Sequence, residues 1–193
     1  MRMMEKKGGG LVYTIAVRTK QIPVGQCLQT YCFPERFLPL CHTCPEYEKN
    51  WSCPTGVPDA CSYLARYDTL TMIGVQVFYD KVMRAQTDPA TVERLQQESY
   101  GKVKKILLET LLGLEHVCLD AMTIAAGRCE QCDRCARLDG RACMKPQRLR
   151  YSFSAFGFDL TAMARDLLGV ELLWSKTGLP EYHAALAAFL TAK

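Results

Sequence analysis

With 193 residues, 49% of them hydrophobic and 23% charged, the chain has the bulk for one domain with its own core. A net charge of +4 is too weak to argue for nucleic acid, and no apolar run approaches the roughly 18 residues of a membrane-spanning helix. Eleven cysteines, an odd number, in a chain that reads without a secretory signal speak against a disulfide scaffold. They suggest a cytoplasmic protein whose reduced thiols are available to metal.

Residues 1–10 read as a flexible leader and 11–193 as a single domain. Leu11 to Thr19 carries Val12, Thr14, Ile15 and Val17 and reads as a strand. Gln21 to Leu40 is interrupted by Pro23, Pro34 and Pro39, so an irregular connection is expected, with Cys27 and Cys32 inside it. Cys41 to Pro54 follows, where Cys41 and Cys44 form a Cys-x2-Cys knuckle and Cys53 comes after eight more residues. The prolines after Cys44 and Cys53 stiffen these turns. Tyr47 and Trp51 have two readings, a cover over the site or core packing. Asn50-Trp51-Ser52 matches a glycosylation pattern and is read as coincidence. Pro58 to Arg66 reads as a short helix with Pro58 in its first turn and Cys61 packed inward.

Thr69 to Tyr79 is rich in β-branched and aromatic residues and reads as a strand. Asp88-Pro89 opens a helix, the aspartate as N-cap. Val92, Leu95, Tyr100, Val103, Leu107, Leu111 and Leu114 carry its apolar stripe to about His116. Leu119 to Ala126 reads as a strand feeding the next cysteines. Asp159 caps a further helix that Gly169 ends. Val170 to Trp174 reads as a strand and Lys176 to Pro180 as a turn. Tyr182 to Leu190 is ambiguous between a helix and a closing strand, and His183 within it reads as a packed histidine. The sum is an α+β fold: a mixed or antiparallel sheet, one long helix, and two cysteine-rich metal loops at one end.

The densest signal is Gly127 to Pro146. Cys129, Cys132 and Cys135 fall at every third residue, and Cys143 follows after seven more. Cys-x2-Cys-x2-Cys suits an iron–sulfur cluster, which presents several irons to one short loop. Zinc ribbons more often pair two separate knuckles, so zinc is the alternative. Residues 128–150 hold seven basic side chains (Arg128, Arg134, Arg137, Arg141, Lys145, Arg148, Arg150) against three acids (Glu130, Asp133, Asp139). They read either as a solvated loop or as cations that offset a thiolate cluster and dock an acidic redox partner. For the first site, Cys32 lies nine positions before Cys41, as Cys53 lies nine after Cys44. With Cys32 the site is closed; without it, a cluster there has one metal position without a cysteine.

CHTCPEYEKNWSCP and GRCEQCDRCARLDGRACMKPQRLRYSFSAFGFDL resemble the two signatures of a family of predicted metal-binding, cysteine-rich proteins of unknown function. The resemblance covers about residues 40 to 168. It implies metal binding, of iron–sulfur type, at Cys41, Cys44 and Cys53 and at Cys129, Cys132, Cys135 and Cys143. Pro54-Thr55 stands where the family tends to have two prolines. The resemblance implies no particular reaction.

Three functions remain open on the sequence. The first is an iron–sulfur protein with one or two 4Fe–4S clusters, in electron transfer or as an accessory or maturation factor to a redox metalloenzyme. The second is an enzyme whose three-cysteine cluster keeps an open iron for small-molecule reduction or sulfur removal. The third is a zinc-stapled interaction module. No phosphate-binding glycine loop, His-Glu-x-x-His or Ser-His-Asp set points to hydrolytic or nucleotide chemistry.

Overall fold

Four antiparallel strands in the order β1-β2-β4-β3 form the platform that carries both cysteine groups. They are β1 (Tyr13–Pro23), β2 (Thr69–Tyr79), β3 (Ala121–Ile124) and β4 (Tyr182–Thr191). The computed structural model describes residues 12–192, so the leader expected over residues 1–10 lies outside the described residues. The helices are α1 (Val24–Tyr31), α2 (Pro34–Phe37), α3 (Ala60–Leu64), α4 (Lys81–Arg84), α5 (Pro89–Gln96), α6 (Lys102–Val117) and α7 (Leu160–Leu168). A π turn at Gln97–Gly101 joins α5 to α6, making one helical run of 29 residues. Asp88 caps it as expected, its carboxylate accepting from the Thr91 N–H at 2.9 Å. Among the described residues no helix is long and apolar enough to cross a membrane.

The sheet is covered on both faces. On one, Leu70, Met72, Leu186 and Leu190 pack against Val24, Cys27 and Tyr31 of α1, Leu64 of α3, and Met163, Ala164 and Leu168 of α7. On the other, Val75, Val77, Tyr79 and Ala185 meet Leu95 of α5 and Val103 of α6. This double cover explains β4, which the sequence left ambiguous. Its alanines favour helix in isolation, yet β4 lies between β2 and β3, where Ala185, Ala187 and Ala188 are almost fully buried. Small side chains let helices approach a central strand, and pairing on both edges outweighs local propensity.

Two expectations need correction. Gln21 to Leu40 is not irregular: β1 runs through Pro23, and α1, α2 and a 3-10 turn at Leu38–Thr43 follow. Pro23 precedes the first turn of α1, and Pro34 is the first residue of α2. Both are places where a missing N–H costs nothing, so these prolines start helices rather than break them. Val170 to Trp174 is not a strand either. Val170 returns its N–H to Ala164 O at 3.0 Å to close α7, and the segment then runs without strand pairing to β4.

Gly157 sets the position of Cys32. It has φ of 81°, and its carbonyl accepts from Phe33 N–H at 3.0 Å while Cys32 bridges Phe158. A Cβ at residue 157 would stand 2.5 Å from Pro34 Cα. Gly157→Ala is therefore expected to cost about 2–4 kcal/mol, from left-handed strain plus the backbone clash. The shift of the urea unfolding midpoint measures this; an unchanged midpoint would contradict it.

Candidate metal centre

The second cysteine loop leaves the sheet at the end of β3 and is pinned where it leaves and where it returns. Ala125 forms a parallel bridge with Ser152 and donates its N–H to Tyr151 O at 2.8 Å. Gly127, with φ of 90°, turns the chain out of the sheet. Between these points Cys135 caps a 3-10 turn at Ala136–Asp139, and Gly140 ends that turn at φ 65°. Cys129, Cys132, Cys135 and Cys143 line one cavity of about 20 Å³ with Trp51, Ala136 and Leu149. Burial raises the Cys129 pKa against a hydrogen bond from the Gln131 backbone, and the neighbouring Cys143, Cys132 and Cys135 raise it further. Cys129, Cys132 and Cys135 also border a polar groove of about 460 Å³, which is where the room for more than a single guest atom lies.

Cys41, Cys44 and Cys53 line a different cavity, of about 460 Å³. The knuckle closes through Cys44 N–H to Cys41 O at 3.0 Å. Burial raises the Cys41 thiol, and Cys44 adds to it. Burial likewise raises Cys53 against a hydrogen bond from Ser52, with Cys44, Glu46 and Cys41 adding to it. Cys41 and Cys53 are thus held as protonated thiols beside the exposed Cys44, and a metal binding there would take the place of their protons.

Cys32 does not join this group. Its Sγ donates to Phe156 O at 3.6 Å. Burial pushes its thiol up to about 11, with Cys61, Asp59 and Glu35 as the charged neighbours that add to the rise. Cys61 is exposed rather than packed. Asp59, not Pro58, sets the start of α3 by accepting from Ser62 N–H at 2.8 Å, and this register turns Ala60 and Leu64 inward instead. All eleven cysteines are free thiols.

The two loops are bound to each other by residues the sequence could not rank. Ser52 Oγ accepts from Cys129 N–H at 2.8 Å, and Trp51 Nε1 donates to Arg141 O at 3.0 Å. Arg137 donates to Asn50 O at 2.7 Å and to Cys53 O at 2.8 Å, with its guanidinium 5.1 Å from the Trp51 ring centre. Trp51 thus belongs to the four-cysteine cavity. Tyr47 belongs to the three-cysteine cavity and stacks on His42 at 4.7 Å. Asn50 is buried and its amide donates to Glu46 at 2.9 Å, in keeping with a coincidental glycosylation pattern.

The basic segment works largely inward. Arg128 pairs with Glu46 at 2.9 Å, Arg134 and Arg141 with Asp139 at 2.8 and 3.0 Å, and Arg148 with Glu109 at 2.6 Å. Arg150 pairs with Glu115, and Lys145 donates to Gln131 O at 2.6 Å. Three of these acids come from the first loop or from α6, so no local pattern marks them.

The candidate donors are all sulfur, a set that would select thiophilic metals. Among the described residues no three His, Cys, Asp or Glu side chains are grouped so as to hold a metal ion. A single tetrahedral zinc draws its sulfurs to about 3.8 Å apart, from Zn–S bonds near 2.3 Å. A cluster spreads its thiolates over several irons and accepts wider spacing. No curated protein and no solved structure matches the chain significantly. The chain belongs to the predicted metal-binding protein family DUF2284, whose model matches residues 19–187 and so spans both cysteine segments.

Proposed function

We propose that this chain is an iron–sulfur redox enzyme with two centres of unequal role. Cys129, Cys132, Cys135 and Cys143 hold a closed centre that passes electrons. Cys41, Cys44 and Cys53 hold a second centre at which a small molecule binds and is reduced. The observation that carries this reading is the 460 Å³ cavity lined by three thiols while the fourth candidate, Cys32, is committed to Phe156 O. A pure electron carrier or accessory protein needs no such cavity. Bound by these thiols, iron–sulfur clusters would supply one-electron transfer and, where a cysteine is missing, a Lewis-acidic position.

The chain's own residues supply the rest. Ser52, covalently next to Cys53, receives the Cys129 N–H and so keeps the two centres adjacent. Tyr47, Leu160 and Leu172 give the cavity beside the three thiols an apolar wall. Protein prepared without oxygen is expected to contain about eight irons and eight sulfides per chain, as two four-iron clusters require. Two zinc ions without sulfide would replace the redox reading with a structural one. Cys32→Ser is expected to leave the iron content unchanged; loss of half would mean that Cys32 closes the first centre.

A further inference from the structure

The cavity beside Cys41, Cys44 and Cys53 has a character of its own. Its walls include Phe37, Leu40, Tyr47, Leu160, Leu172 and Trp174. Three charged side chains reach it, and each is already committed. Arg128 sits on Glu46 at 2.9 Å and within 3.7 Å of Glu130, and the Asp159 carboxylate accepts from Ala162 N–H at 3.0 Å as the cap of α7. The Ser152 and Ser154 hydroxyls lie 3.0 Å apart and bond each other. An ionic ligand would find no counter-charge of its own and would have to share one with its present partner, beside walls that are otherwise apolar. Leu40 is 62% exposed and Trp174 87% exposed. Large apolar side chains left open at a pocket's edge gain by covering something.

From this we infer that the cavity binds a neutral small molecule with a flat, apolar body. Its one donor atom points toward the three cysteines, and Trp174 and Leu40 fold over its far side. The inference rests on the two-centre reading only for what the donor atom meets; the preference for a neutral body rests on the walls.

The test uses the metal-loaded protein and two probes of the same shape, thioanisole and 4-(methylthio)benzoate. Thioanisole is expected to give a saturable blue shift of tryptophan emission. The shift should vanish in Trp174→Phe, because Trp51, the second of the two tryptophans, borders the other cysteine group. By equilibrium dialysis the carboxylated probe should bind about tenfold more weakly or worse, and Trp174→Ala should weaken thioanisole binding by about tenfold with metal content unchanged. Equal or tighter binding of the carboxylate overturns the inference, as does thioanisole that leaves both emission and dialysis at baseline. Iron and sulfide measured on the same sample separate the two readings. Full metal without thioanisole binding removes this inference and leaves the two centres standing. Absent iron with the neutral preference intact removes the two centres and leaves the cavity's selectivity.

Discussion

Replacing Arg137 by alanine is expected to halve the metal bound per chain, emptying the Cys41, Cys44 and Cys53 group and leaving the other filled. The loop from Cys41 to Pro54 is held by its own turns, yet Cys44, Pro45, Glu48 and Lys49 are all exposed and bury nothing that would fix the loop against the rest of the fold. Its anchor lies across the chain. One guanidinium nitrogen of Arg137 donates to both Asn50 O and Cys53 O, and the cation rests over Trp51. Hydrogen bonds from a charged donor are each worth about 1.5–3 kcal/mol, and the ring contact about 0.5–1 kcal/mol. The bonds share one side chain and do not add fully, so the loop loses about 3 kcal/mol of restraint. Arg137→Lys keeps the charge but loses the planar fork and the stacking, and should behave nearly as alanine does. Thr55→Val removes the 3.3 Å contact to the second guanidinium nitrogen and a 3.5 Å bond to Glu48, both exposed, and should leave the metal content unchanged. Iron and sulfide analysis reads the first effect. Faster amide exchange from Asn50 to Thr55 reads the loosening independently of metal. Arg137→Ala that keeps its full metal complement and exchange protection would remove Arg137 from this role.

Arg137 also marks the boundary of what could be read from the chain alone. That Cys129, Cys132, Cys135 and Cys143 share one cavity, and Cys41, Cys44 and Cys53 another, was legible because cysteine spacing is a local property. Thr69 to Tyr79 was legible because its side chains fit a pleated surface, and Asp88 and Asp159 because a cap needs only the next turn. The partners of Arg137, Trp51 and Ser52 lie 77 to 90 residues away, and neither composition nor periodicity reports a contact at that distance. Cys32 shows the converse. Its nine-residue spacing is symmetric with that of Cys53, but α1 ends at Tyr31 and the bridge to Phe158 turns the thiol toward Phe156. The strand expected at Val170 to Trp174 failed because apolar residues say that a segment is buried or covers something, not that a partner strand is free. β4 already pairs with β2 on one edge and β3 on the other.

Glu115→Ala is expected to lower stability at pH 7 by about 3 kcal/mol, the cost of leaving one member of a buried pair without its partner. Glu115 and Arg150 are only 11% and 12% exposed. Arg150 Nε donates to Glu115 Oε1 at 2.9 Å, its terminal nitrogen meets the other oxygen, and Thr123 N–H donates to Oε1 at 2.6 Å. One carboxylate near the end of α6 therefore holds β3, which leads into the four-cysteine loop, and Arg150, which leads out of it. Burial pushes the Glu115 pKa up, but hydrogen bonds from Arg150 and Thr123, with the Arg150 charge, outweigh it and hold the group below its ordinary value of 4.5. A carboxylate depressed in the folded state contributes stability that is fully present above the unfolded value. That contribution is lost as pH falls through the folded one. The wild type should therefore shed it below about pH 4.5. Glu115→Ala should lack that component of the acid slope while starting roughly 6–12 °C lower in Tm, given about 2–4 °C per kcal/mol at this size. Glu115→Gln keeps an acceptor for Thr123 and should fall between the two. Replacing both partners by methionine removes the unpaired charge and should recover much of the loss. If the joint does hold the loop, Glu115→Ala will also release metal from the four-cysteine group faster than from the three-cysteine group. Equal release rates, or a mutant with the wild-type acid slope, would place the anchor elsewhere.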